Sequence, residues 1–493
     1  MTNDTLAART EAGFAWMAVW RMATRLLGFA STLLLVRLLN PADFGLMALA
    51  TSAWQAIETL TAAALDDAVV RLPHPGRAEY DTAWTLNLLR AALIAALIAL
   101  LAVPLGGFFE DARLAPILWL LALASLSEGA ENIGVVEFRR DLSYDRVFRM
   151  RIVPRIAGIL VTIALALTWR SYWAMVAGIL VTRLATCLAT FLAHPYRPRL
   201  SLAAWRKLAA FSLWLWASGL VSMLRDRGDT FIIGRMTGAA RLGVFVVAAE
   251  IASLPASELI QPFTSVLFSA FSRTAHDDRQ TASLFLHFLG LAALLAIPAG
   301  LGIALLAEPL TLVLLGGSWR AAVPLIQLLA TLLAFTAFGA IARASFEARG
   351  LMARSFALTL LSTAVRLALV IFGVWQADLW GAALGGAAAT LLDQAMFFHG
   401  ACRMLGLRAR AIAAVLWRPA LGGLAMGTLL AGIGAHRAWR DAALSALVSQ
   451  MALTAIAGAV LYAGVVWFAW ALSGRPDSAE ARVAAGLRAK LRR

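Results

Sequence analysis

Residues 37–50 read RLLNPADFGLMALA and residues 235–248 read RMTGAARLGVFVVA. Each phrase holds an Arg, a short polar break, a Gly and the start of an apolar run. Sliding the chain by 198 positions lays 14–53 over 212–251 without a gap. Trp16 then meets Trp214, Thr32 meets Thr230, Arg37 meets Arg235, Ala42 meets Ala240 and Gly45 meets Gly243. A second alignment, offset by 208, lays 116–148 over 324–356 and pairs Pro116 with Pro324, Phe138 with Phe346 and Arg146 with Arg354. The phrase is read as one hairpin used twice, its Gly serving a tight turn into a helix and its Arg capping the helix before it.

Composition says what kind of hairpin this is. The 493 residues are 61% hydrophobic and 14% charged, and the mean hydropathy is +0.78. Soluble domains are about 45–50% apolar and about 25% charged, so a water-soluble globule is excluded. About twenty apolar residues cross a bilayer core as a helix. Fourteen such stretches recur, near 14–36, 43–65, 84–107, 114–136, 150–169, 172–193, 210–234, 242–265, 284–306, 320–342, 355–375, 379–400, 416–434 and 448–472. The first has no basic leader and no small-residue cleavage site, so a retained helix is expected there. The expected fold is an all-α integral membrane protein of about 14 transmembrane helices.

Six helices separate the two copies, and six is even, so both copies share one orientation. That is the parallel-repeat plan of transporters which bind cargo between two bundles. The expected divisions are an N-lobe over 1–208 (spans 1–6), a C-lobe over 209–402 (spans 7–12), a further pair of spans in 403–472, and a basic cytoplasmic tail over 473–493. Within the tail, Val483, Leu487 and Leu491 form an apolar edge beside basic residues, as on a surface-lying helix. The spacings Gly381/Gly385 and Gly423/Gly427 suit close helix packing.

The net charge of +15 raises nucleic acid as a partner, but its distribution argues against one. With the N-terminus in the cytoplasm, more than half of the 43 Lys and Arg fall in cytoplasmic joints and ends. The richest joints are EFRRDLSYDRVFRMR (137–151), HPYRPRLSLAAWRK (194–207) and RMLGLRARAIAAVLWR (403–418). This is the positive-inside pattern of an even-spanning protein with both termini inside.

Charges inside the apolar stretches are the functional signal, because a central Arg costs about 2.5–3.5 kcal/mol and must face a cavity or a partner. Arg21, Arg25, Arg90, Arg183, Arg225 and Arg366 are candidates for a cavity that binds an anion. Arg155, Arg227 and Arg343 read better as structural pairs or side chains reaching for an interface. Ser218, Ser222, Arg225 and Asp229 share one helical face. Glu58, Asp226, Asp229 and Glu250 are gating or ion-pair candidates, and Glu128, Glu131, Glu258 and Asp393 are acids on other helices. An Arg-rich, acid-poor interior favours a diphosphate, whose paired oxygens match the guanidinium fork.

Catalytic and cofactor signals are missing. No phosphate-binding loop, nucleophile elbow or H-E-x-x-H pair occurs, and the six histidines have no ligand spacing. Cys187 and Cys402 define neither a disulfide framework nor a metal site. No cofactor, metal or enzymatic activity is expected.

RLLGFASTLLLVRLLNPADFGLMALA (25–50), FRRDLSYDRVFRMR (138–151), DTFIIGRMTGAARLGVFVVA (229–248) and LPASEL (254–259) resemble a known family. It is the polysaccharide-transporter branch of the multidrug/oligosaccharidyl-lipid/polysaccharide exporter superfamily, the Wzx-like flippases that include the colanic-acid-exporter-like group. The resemblance covers about residues 10–400. It implies a V-shaped bundle in the bacterial inner membrane that moves an undecaprenyl-diphosphate-linked oligosaccharide to the outer leaflet for exopolysaccharide, O-antigen or capsule synthesis. It also implies a cationic central cavity, with Arg25, Arg90 and Arg366 carried over, and contact with membrane lipids, a polysaccharide polymerase and export machinery. The alternatives are a cation-coupled multidrug exporter of the same superfamily and, less favoured, a polyprenyl-linked glycosyltransferase or polymerase. The short outer joints leave little room for the catalytic loop that such enzymes need.

Overall fold

The computed structural model describes residues 3–61, 65–72, 75–205, 213–255, 261–436, 444–476 and 479–482. Among these the regular structure is helical throughout. Among the described residues, each of the fourteen apolar stretches falls mainly on helix. Eight helices are long and apolar enough to cross a membrane, or ten if each of two bent pairs is one span. Helices that miss this mark include α2 (Pro41–Leu60), α9 (Leu213–Thr237) and α10 (Ala239–Pro255), and α2 and α9 are the ones carrying Glu58, Arg225, Asp226 and Asp229. Intramembrane polar groups lower hydropathy where function needs them.

The chain divides into two compact units, Met1–Gly243 and Val244–Arg493. The first contains α1 (Asn3–Leu38), α2, the short α3 (Leu65–Arg71), α4 (Arg77–Phe108), α5 (Leu114–Gly129), α6 (Val136–Arg140), α7 (Tyr144–Trp169), α8 (Trp173–Ala193) and α9. Asn40 starts α2 by accepting from the Asp43 N–H while Asp43 caps the Asn40 N–H, and Pro41 fills the first helical position. α7 and α8 pack closely because Gly158 faces Thr182 and the Gly178 carbonyl, while Gly178 faces Thr162 and the Gly158 carbonyl. α1 runs beside α7, with Gly13 under the Tyr144 ring and Trp16 on Phe148 at 5.2 Å.

The two copies of the opening phrase meet inside this unit. Added methyls would drive Gly45 onto the Ala239 carbonyl and Gly243 onto the Pro41 carbonyl. Positions 41 and 239, and 45 and 243, are the ones that the repeat pairs. The glycines are therefore not turn residues, as the sequence suggested; both lie inside helices and permit backbone contact. The turn falls earlier, at Asn40 in one copy and at Gly238 (φ +82°) in the other. The expectation for Arg235 also changes: it pairs with Glu110 at 3.0 Å and lies over the Phe108 ring.

The second unit holds α11 (Gln261–Thr274), α12 (Asp278–Leu305), α13 (Ala307–Leu314), α14 (Val323–Thr331), α15 (Leu333–Ala348), α16 (Met352–Met404), α17 (Ala409–His436) and α18 (Leu444–Leu472). α16 breaks at Ala377 and Asp378, where Asp378 has φ +56°. Its two arms fold back on one another, because Gly381 meets the Gly373 carbonyl and Gly385 the Leu369 carbonyl. Gly423 packs on Ile297 and Leu301, whereas Gly427 faces open space. Phe271, Phe285, Phe346 and Phe397 form the aromatic centre of the core. α17 is tied to residues 479–482 by an Arg418–Glu480 pair at 2.9 Å, both side chains buried. The tail from 483 onward, with its expected surface helix, lies outside the described residues.

Candidate functional site

The site of interest lies in the first unit, at the end of the bundle that carries joints 141–143 and 194–205. The helical run bends by 61° between Leu114–Gly129 and Ile133–Arg140. Asn132, fully buried at this bend, uses its side chain to hold the chain that follows α8. Its Nδ2 donates to the carbonyls of His194 (3.2 Å) and Tyr196 (2.8 Å), and its Oδ1 accepts from the Gly134 N–H. From there residues 196–204 run as a strap over the start of α4. Tyr196 Oη donates to Asp81 Oδ1 at 2.7 Å, which also accepts the Arg199 N–H at 2.8 Å. The N–H groups of Ser201 and Ala204 donate to the hydroxyls of Thr85 and Thr82. Burial, with the Asp81 carboxylate beside it, pushes the Tyr196 phenol well above its ordinary range.

Behind this strap opens a polar cleft of about 320 Å³. α3 contributes Asp66 and Asp67, α4 contributes Asn87 and Arg90, and α5 with the bend contributes Glu128, Glu131 and Asn132. α6 supplies Arg139, α7 supplies Arg151 and α8 supplies Arg183. At the mouth Arg139 pairs with Asp67 at 2.9 Å, and Asn87 donates to Asp66 at 2.9 Å. Deeper in, Arg183 Nη1 lies 2.9 Å from Glu128 Oε2, and its guanidinium sits over the Trp54 ring at 5.2 Å. Glu58 is within electrostatic range of Glu128, Arg183 and Arg90. The Arg90 Nε is buried and has no hydrogen-bond partner, and the same holds for Glu128 Oε2 beside Arg183. At 1.5 Å per residue, Arg90 lies about 20 Å along α4 and Arg183 about 15 Å from the end of α8, so both sit within the apolar zone.

The candidate residues fall into separate groups. Arg90 and Arg183 line the cleft, and Glu58 lies outside its lining but within electrostatic range of both. Arg21 is exposed on α1, and Arg25 is half-buried one turn further along with contacts of its own. Arg225 bonds its neighbour Asp226 at 3.3 Å, and Asp229 is buried on the same helix. The Ser218 side chain lies outside the described residues. In the second unit, Arg366 donates to Thr390 Oγ1 at 3.0 Å, joining the two arms of α16, and Glu250 is exposed. Arg343 has the structural role expected of it, bonded to Thr359 and Asp393 and stacked 3.8 Å from the Phe397 centroid. The Arg155 Nε is buried without a hydrogen-bond partner, and its guanidinium lies beside Gly28 of α1.

The acid-poor interior expected from sequence is also corrected. Glu58, Glu128 and Glu131 gather around Arg90 and Arg183, because the bend after Gly129 turns Glu131 back toward α8. Arg139, Arg151, Asn132 and Trp54 were not singled out. The i, i+3 spacing of Glu128 and Glu131 was no guide, since α5 ends at Gly129 and Glu131 lies beyond it in the bend. A larger groove of about 530 Å³ between α17 and α18 is lined by apolar side chains such as Trp417, Leu421 and Phe468, and offers nothing to an anion.

Residues 34–324 match the family described as "Polysaccharide biosynthesis protein". The chain belongs to this family. It is 22% identical over 84% of its length to the lipopolysaccharide biosynthesis protein WzxC of Escherichia coli K12, covering 85% of that protein. It is 28% identical to the succinoglycan biosynthesis transport protein ExoT of Rhizobium meliloti, over 67% of each chain. Among solved structures, the lipid II flippase MurJ in an inward closed conformation superposes with a TM-score of 0.68 at 12% identity, covering 91% of this chain and 98% of that one. An inward-facing multidrug-resistance MATE transporter gives 0.61 at 15% identity, covering 80% and 98%. These two likenesses concern the fold. The protein is a multi-pass membrane transporter of polysaccharide biosynthesis.

Proposed function

We propose that the chain is a flippase that carries undecaprenyl-diphosphate-linked oligosaccharide repeat units across the bacterial inner membrane. It works by alternating access, with both termini cytoplasmic, and supplies exopolysaccharide, O-antigen or capsule synthesis. The relatives are named for different polymers: lipopolysaccharide, succinoglycan, teichuronic acid and amylovoran. A scaffold shared among such cargoes is best served by gripping what does not vary, an anionic lipid carrier. The observation that carries the reading is the unsatisfied Arg90 Nε in a polar cleft within the apolar zone. A guanidinium at that depth is costly unless an anion completes it, and a diphosphate does so with paired oxygens. Arg183 and Arg151 supply further cationic groups around the same space. Arg21, Arg25, Arg225 and Arg366 remain proposed contacts along the route.

The test is chemical. Lipid extracts of a strain lacking this gene are expected to accumulate polyprenyl-diphosphate-linked oligosaccharide by mass spectrometry, and restoring the gene is expected to clear it. A lipid profile indifferent to the gene would contradict the reading. A second reading, the cation-coupled multidrug exporter, is favoured by the Glu58, Glu128 and Glu131 cluster. It requires the same strain to become drug-sensitive with its polymer output intact.

A further inference from the structure

We propose that Glu128 is a resident counter-ion of Arg183, which the lipid diphosphate displaces on binding and which returns when the cargo leaves. This rests on the cleft being the diphosphate site. Three features of the pair point to exchange.

First, the guanidinium is positioned without help from Glu128. The Trp54 ring lies 5.2 Å from it, and Trp54 is itself pinned by its Nε1–H donating to Ser125 Oγ at 2.7 Å. Removing the carboxylate therefore leaves the binding fork in place.

Second, the contact is close but poorly aligned. Glu128 Oε2 lies 2.9 Å from Arg183 Nη1 yet takes part in no properly directed hydrogen bond, and each side chain is 34% exposed. Glu128 Oε2 itself is buried, so a ligand in the cleft meets the exposed parts of the two side chains first. Phosphate oxygens that approach in the plane of the fork gain the alignment that Glu128 lacks.

Third, Glu128 is held among like charges. Glu58 and Glu131 both lie within its electrostatic range, which weakens its claim on Arg183. In the empty carrier the pair still spares Arg183 the cost of an uncompensated charge. The arrangement gives selectivity, since a neutral lipid cannot replace a carboxylate. It also gives release, because the returning side chain competes with the cargo.

The experiment titrates sugar-free undecaprenyl diphosphate into the full-length protein in nanodiscs. It compares wild type, Glu128→Gln, Arg183→Gln and the double variant. Gln keeps the shape of Glu and removes its charge, so binding to Glu128→Gln is expected to tighten about tenfold, on the scale of one hydrogen bond to a charged group. The same change made on Arg183→Gln is expected to have no effect on affinity. Glu128→Asp, which only shortens the side chain, is expected to tighten binding by a smaller factor and covers the case where Gln disturbs folding. Wild type that binds while Glu128→Gln and Glu128→Asp bind equally or more weakly would overturn the counter-ion role alone. Wild type that does not bind would overturn the cleft as the diphosphate site, and this inference with it.

Discussion

Gly45 and Gly243 lie back to back, each where a side chain would strike the backbone opposite it: the Ala239 carbonyl for Gly45 and the Pro41 carbonyl for Gly243. The contact is reciprocal, and its four residues are pairs related by the 198-residue offset. Carbonyls cannot swing aside as side chains can. Gly45→Val and Gly243→Val should each cost about 3 kcal/mol or more. A thermal-unfolding assay of the purified protein in detergent would show a large fall in both. Gly427→Val, at a position facing open space, should unfold near the wild-type temperature.

The strap over α4 makes a graded series. Tyr196→Phe removes one donor to Asp81, which keeps the Arg199 N–H, so the loss should be about 1 kcal/mol. Asn132→Ala removes the donors to the carbonyls of His194 and Tyr196, which keep their bonds from Arg197 Nη1, and takes the acceptor from the buried Gly134 N–H, so the loss should be about 2 kcal/mol. Hydrogen exchange over 194–204 should rise in that order, and equal exchange in wild type and Asn132→Ala would refute the anchoring.

At the joint between α4 and α5, Arg113 bonds Asp111 through two nitrogens at 2.9 and 2.7 Å. These bonds hold the Asp111 carboxyl below its usual value of 3.8. A carboxylate whose folded value is lowered stabilises the fold above its unfolded value and loses that contribution as pH falls through the folded one. With the Arg113 side chain 47% exposed, solvent limits the gain to under about 1 kcal/mol. Asp111→Asn should therefore unfold slightly earlier than wild type at pH 7, and the gap should close below the usual carboxylate range. A gap that persists in acid would point to a cause other than this pair.

In the second unit, Arg343 is a structural cation. Arg343→Leu strands Asp393 in a half-buried place and should cost about 3 kcal/mol or more. Asp393→Asn with Arg343→Leu should recover part of that loss, and double variants that are merely additive would refute the pairing.

The architecture was legible because its signals are periodic or compositional. Apolar runs of spanning length set the helices, and two constant offsets disclosed the duplication. The site was legible only in part, because side chains meet across helices that hydropathy places side by side without fixing their rotation. Arg90 and Arg183 stood out through the cost of charge in lipid. Glu128 and Glu131 were visible as acids but not as a cluster, since the 61° bend that joins them to Glu58 comes from a helix break at 130–132. The placing of Arg155 beside Gly28 was not legible for a related reason: a deep Arg next to a Gly on another helix has no signature in one dimension. Gly45 and Gly243 were noticed, yet were assigned to turns, because a glycine needed for backbone contact and one needed for a turn look alike in sequence.

The most direct measurement of the central claim is polymer export by Arg90→Gln in a strain lacking the chromosomal gene, with the variant quantified in the membrane fraction. The account expects export to fall below about one tenth of wild type, the effect of losing one charge-assisted contact, at an unchanged amount of protein. Wild-type polymer output from Arg90→Gln would contradict it.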